Sequence, residues 1–133
     1  MNTQTSIDAP VPELPVIDVE RAQQHYRDVL GFQVNWLYPD KSIGAVSRGD
    51  CGIFFRKRTP PFEPAVHWIF APDIDATYHE LKSSGANIVE PLEKKPWGLR
   101  QFTLEDFDGE PLLHPSRLTV ALRRCATRIT KTL

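Results

Sequence analysis

The chain has 133 residues, 41% hydrophobic and 25% charged, which suits a single globular domain with a real core and excludes a disordered or fibrous chain. Net charge is −1, but five basic residues and no acidic one follow Glu110, so the remaining body, 11 basic residues against 17 acidic, sits near −6. Such a body does not attract nucleic acid and is compatible with a cationic ligand.

The opening MNTQTSIDAP is polar and contains no apolar run, so it reads as a flexible lead, neither a secretory signal nor a membrane anchor. Cys51 and Cys125 stand far apart without a CxxC pattern, which fits a reducing cytoplasm. A first strand is expected over Val11–Val16, and its two prolines point to a sheet edge. Asp18 then has the chemistry of a helix N-cap, with Glu20 in the first turn where the helix dipole favours negative charge. Val19, Ala22, Tyr26, Val29 and Leu30 recur at helical spacing, and Gly31 supplies the stop. Three strands are expected next: Phe32–Leu37, Ile43–Arg48 and Gly52–Lys57. A proline-rich connection follows.

The order then repeats. Val66–Ala71 reads as a strand, Asp73 as a second N-cap, and Ile74, Thr77 and Leu81 as positions matching Val19, Ala22 and Tyr26. Gly85 stops this helix as Gly31 stops the first, and Ile88-Val89 begins the next extended run. In the stretch KPWGLRQFTLEDFDGEPLL, Pro96 and Gly98 set a loop around Trp97. Arg100, Phe102 and Leu104 alternate with Gln101, Thr103 and Glu105 as on the two faces of a strand. Asp108-Gly109 has the chemistry of a hairpin turn, and Leu112 and Leu113 are expected to start the returning strand. Two βαβββ units result, about residues 8–60 and 64–116, an α+β duplication in which neither half buries its apolar face alone. Residues 117–133 read as an extension. Leu118, Leu122, Cys125 and Ile129 would share one stripe of a terminal helix, and a frayed tail is the alternative.

PWG, a strand of the form R-x-F, then D-x-D-G opening another strand resembles the last hairpin of the bleomycin-resistance proteins of the glyoxalase/bleomycin-resistance/dioxygenase, or vicinal-oxygen-chelate, superfamily. The run D-V-E-R-A…Y-R-D-V-L-G-F is similar to that family's first helix, and the resemblance covers about residues 11–114. It implies two curled sheets forming a cup, a homodimer whose binding residues come from both subunits, and sequestration of a small molecule, with antibiotic resistance as the role. Metal-dependent members place four ligands in the cup. The matching positions here are Val11, Lys57, Val66 and Leu113, none of which offers a usual donor to a divalent cation, so no metal or other cofactor is expected. Glu13, His67 and His114 lie beside these positions and form the alternative metal set, provided a bulge turns the histidines inward. His25 and His79 fall on helices and read as solvated.

The same alternation predicts the cup lining. Val66, Trp68 and Phe70 share one face, Ile53 and Phe55 share that of Lys57, and Trp97 and Phe102 come from the loop and strand after it. Of these, Ile53 and Val66 read as ordinary core rather than pocket lining. Glu13, Lys57 and Arg100 are the charges able to orient a ligand, or else surface groups. The expected ligand site is therefore Glu13, Phe55, Lys57, Trp68, Phe70, Trp97, Arg100 and Phe102, for a flat and cationic molecule. No nucleophile constellation or phosphate loop is present, so no catalytic residue is assigned. The rival reading is a glyoxalase-like lyase or a dioxygenase-like oxidoreductase with a non-standard or absent metal site; a third is a non-metal enzyme using Glu13 as general base.

Overall fold

A computed structural model describes residues 4–63, 65–106 and 116–122. The first unit runs β1 (Glu13–Val16), α1 (Val19–Asp28), β2 (Gln33–Leu37), β3 (Ile43–Arg48) and β4 (Cys51–Lys57). The second runs β5 (Val66–Phe70), α2 (Ile74–Ser83), β6 (Asn87–Lys94), β7 (Arg100–Glu105) and β8 (Arg117–Ala121). Each unit builds a four-stranded mixed sheet, in the orders β1-β4-β3-β2 and β5-β8-β7-β6. The first strand of each unit lies at an edge and pairs parallel with the last. The proline-flanked β1 therefore takes the edge position its sequence predicts.

The helices begin where the sequence says they should. The Asp18 carboxylate accepts from Arg21 N at 3.1 Å and the Asp73 carboxylate from Ala76 N at 3.2 Å, so each satisfies an otherwise orphaned first-turn donor. Under the first sheet, α1 buries Val19, Ala22, Gln23 and Tyr26. Tyr26 packs edge-on against Phe55 at 4.8 Å and Phe32 at 5.3 Å between ring centroids. Under the second sheet, Tyr78 meets Phe102 in the same manner at 4.9 Å.

One cluster joins the helix-bearing sides of both sheets, with Leu14, Val46, Ile53 and Phe55 from the first and Phe102, Leu104, Leu118 and Val120 from the second. Polar contacts cross the same boundary. The Tyr26 hydroxyl donates to Asp106 Oδ2 at 2.7 Å in a buried setting, Arg48 pairs with Glu80 at 2.8 Å, and the Ser84 hydroxyl donates to the Val29 carbonyl. The two units thus pack back to back. The opposite face of each sheet looks away from the shared core.

Two sequence expectations change here. Arg117–Ala121 is a strand, not the start of a helical extension, and its Leu118 and Val120 are buried while Arg117 is exposed. The Leu118–Leu122 spacing suits a helix, but the Leu118/Val120 alternation suits a strand, and pairing with β5 and β7 decides for the strand. The second unit consequently extends past 116. The Asp108-Gly109 turn, Leu112, Leu113, Cys125 and Ile129 lie outside the described residues.

Candidate functional site: two open sheet faces

On the first sheet, the register aligns Trp36, Ala45, Phe54 and Glu13 in one row across β2, β3, β4 and β1. Trp36 and Phe54 pack edge-to-face at 5.2 Å, with Trp36 43% exposed although it belongs to a strand. Beside them Glu13 accepts from Arg56 Nε at 2.8 Å and has Arg58 at 3.8 Å, so two guanidinium groups surround one carboxylate.

On the second sheet, β5, β8 and β7 place three rows side by side: Val66, Arg117 and Glu105; Trp68, Thr119 and Thr103; Phe70, Ala121 and Gln101. Glu90 and Glu93 extend two of these rows onto β6 as the partners of Thr103 and Gln101. Lys95 reaches both carboxylates, at 3.5 and 2.6 Å, and Arg117 lies 3.7 Å from Glu105. Three carboxylates against two cations leave this face acidic.

The loop after β6 delivers Trp97 to the same face. Gly98 N donates to Lys95 O at 2.8 Å, and Gly98 itself has φ +92°, a conformation open to glycine. The indole N–H then donates to Gln101 Oε1 at 2.8 Å, which fixes the ring at the end of the Phe70 row. Trp68 and Trp97 remain 48% and 58% exposed. Large aromatic side chains left uncovered in adjacent rows form a platform for a flat ligand or a partner surface.

Of the expected site residues, Trp68, Phe70 and Trp97 lie on this face of the second sheet, with Val66 in the row before Trp68. Glu13 lies on the other open face. Phe55 and Phe102 do not reach either; both are fully buried against the helices. The reason is the phase of each strand: on β4, Ile53 and Phe55 turn toward α1 and Phe54 and Arg56 turn outward. Lys57 ends the core-facing phase of β4 as an exposed side chain, and Arg100 pairs with Asp75 of α2 at 2.6 Å, on the helix side.

The alternative metal set does not assemble. Glu13 is engaged by Arg56 on an open face, whereas His67 turns to the helix side of β5, into a cleft of about 1000 Å³ between the units that Leu30, Ile53 and Leu118 also line. Its Nε2 is buried with no hydrogen-bond partner among the described residues, and burial pushes its pKa below the ordinary value. His114 lies outside the described residues, among which no cluster of three metal-donor side chains occurs.

Trp36, Phe54, Gln101, Thr103 and Thr119 lie on the open faces and are candidates that sequence reading passed over. The signal available was the unbroken apolar run Ile53-Phe54-Phe55, which puts apolar groups on both faces of one strand. Nothing comparable marks the threonines.

Two βαβββ units, each with a four-stranded mixed sheet, define a class of small α+β proteins. The chain belongs to the Glyoxalase/Bleomycin resistance protein/Dioxygenase superfamily, whose family model matches residues 7–112. Among solved structures it is similar to a bleomycin-binding protein complexed with bleomycin (TM-score 0.73, 22% identity, covering 89% of this chain and 100% of that one). The bleomycin-binding protein from bleomycin-producing Streptomyces verticillus, complexed with copper(II)-bleomycin, gives 0.73 and 21%, with 90% and 98% covered. TioX from Micromonospora sp. ML1 gives 0.70 and 23%, with 86% and 98% covered. These likenesses establish the fold. No curated protein matches the sequence.

Proposed function

We infer that this protein binds and sequesters a flat, cationic organic molecule, as the bleomycin-binding proteins it resembles bind bleomycin. The observation that carries this reading is the pair of exposed indoles, Trp68 and Trp97, on the face that also bears the carboxylates Glu90, Glu93 and Glu105. Aromatic faces and negative charge together attract an aromatic cation, each ring contact contributing about 0.5–2 kcal/mol once water is excluded. The pocket is shared by two copies. Within one chain the two open faces lie on opposite sides of a common core, so neither can close over the other. The first face is net basic around Arg56 and Arg58 and the second net acidic, so the first face of one copy complements the second face of another.

The test uses the full chain, titrated with 9-aminoacridine and with metal-free bleomycin while tryptophan fluorescence is followed. Quenching should saturate, weaken as salt is added, and lose at least several-fold in affinity in Trp97→Ala. Binding no tighter than that of a naphthalenesulfonate anion would overturn the reading, and binding indifferent to Trp97→Ala would move the site elsewhere. Light scattering should give a mass near twice 15.2 kDa, falling to one copy when Trp36→Asp places a charge in the contact. A monomer at micromolar concentration would refute the shared pocket.

A further inference from the structure

Beneath the aromatic platform lies a set of polar groups whose hydrogen bonds do not close. Gln101 is 4% exposed, and its amide oxygen is taken by the indole N–H of Trp97 at 2.8 Å. An indole N–H can only donate, so the oxygen of Gln101 must face it and the NH2 must face away. No acceptor among the described residues meets that NH2, and the nitrogen is not wholly sealed from solvent. In the adjacent row Thr103 and Thr119, 4% and 5% exposed, hold their hydroxyl oxygens 2.9 Å apart. Only one proton can lie between the two oxygens, so the other hydroxyl proton must point elsewhere, and no second acceptor for it occurs among the described residues. A nearly buried donor without a partner is costly, and native proteins retain such groups where something else supplies the acceptor.

We propose that Gln101 and the Thr103–Thr119 pair form a hydrogen-bonding subsite that receives a carbonyl-type acceptor, such as a carboxamide oxygen, carried on the ring system stacked against Trp97 and Trp68. Gln101 has two roles in this arrangement. Its oxygen orients the Trp97 ring, and its NH2 reads the ligand. The ligand class is thereby narrowed from any flat cation to a flat cation with a carboxamide-like acceptor at its edge, which an amine-only polycycle lacks. The subsite rests on the binding reading given above.

A matched pair of probes separates the two. 9-Aminoacridine and 9-aminoacridine-4-carboxamide share the cationic ring and differ by the acceptor. Wild-type protein should bind the carboxamide about three- to tenfold tighter, the worth of one or two neutral hydrogen bonds. Gln101→Glu keeps an acceptor for Trp97 but removes the NH2, and Thr103→Val removes one hydroxyl at nearly constant volume. In both variants the carboxamide preference should fall to within about twofold, and reading the ratio of the two probes cancels any general change in ring or charge binding. In NMR spectra the side-chain NH2 signals of Gln101, identified by their loss in Gln101→Glu, should shift with the carboxamide probe and not with 9-aminoacridine. Should 9-aminoacridine bind while the carboxamide gains nothing, or keeps its gain in both variants, the subsite is refuted and the binding function stands. Failure of wild-type protein to bind either probe refutes both.

Discussion

Beneath the first sheet α1 buries Val19, Ala22, Gln23 and Tyr26, whereas α2 beneath the second buries Ile74 and Leu81. Above the sheets the contrast reverses. The first open face holds an aromatic pair closed on itself, Trp36 on Phe54, and a carboxylate already neutralised by Arg56. The second holds the exposed Trp68 and Trp97, an excess of carboxylates and polar groups with donors to spare. One repeated plan has been loaded differently: the first unit concentrates its large side chains in the core, the second on its open sheet face. A strand makes this division available because alternate side chains serve opposite faces, so one face can be altered while the other continues to hold the fold.

The largest expected effect tests that division within one strand. Phe55→Ala should destabilise the protein by about 3–5 kcal/mol in urea unfolding, since it empties a fully buried ring site beneath α1. Phe54→Ala, one residue away, should cost well under half as much and act instead on assembly. Equal costs would show that the two faces are not separate.

Gly44 probes how closely α1 approaches the first sheet. A Cβ there would stand 2.6 Å from Gln23 Nε2 and 2.9 Å from Val19 Cγ1. Gln23 cannot swing away freely, because its Nε2 donates to the Trp36 carbonyl at 2.8 Å and the Ala45 carbonyl at 3.2 Å. Gly44→Ala should therefore cost about 1–3 kcal/mol, measurable as a lowered urea midpoint. An unchanged midpoint would mean that the helix rides higher on the sheet than described.

Tyr26 couples the units and gives a pH signature. Burial first, then the neighbouring charge of Asp106, raises its pKa well above the ordinary phenol value. A folded-state pKa raised above the unfolded one leaves stability intact below about pH 10 and removes it as pH rises further, because the unfolded chain ionises first. Stability should fall above about pH 10 in the wild type and fall less steeply in Tyr26→Phe. At neutral pH that variant should cost about 1–3 kcal/mol through the lost hydrogen bond to Asp106. Parallel alkaline losses in both proteins would exclude Tyr26 as their source.

Local chemistry in the sequence determined where the elements begin and end. Asp18 and Asp73 cap helices because a short carboxylate reaches a first-turn N–H, and Gly31 and Gly85 follow them with the positive φ that favours glycine, all of which acts over a few residues. The same local reading found the duplication and put Trp68 and Phe70 on one face of their strand. It could not decide which side of a strand the helix would cover. Alternation sorts Phe54 from Phe55 and Phe102 from Thr103 but assigns neither pair to core or open face, and the packing of α1 and α2 makes that assignment. Nor could it make Arg117–Ala121 a strand, since its parallel partner β5 lies about fifty residues earlier in the chain. A short apolar segment fits either period, and only the edge it meets in space selects one.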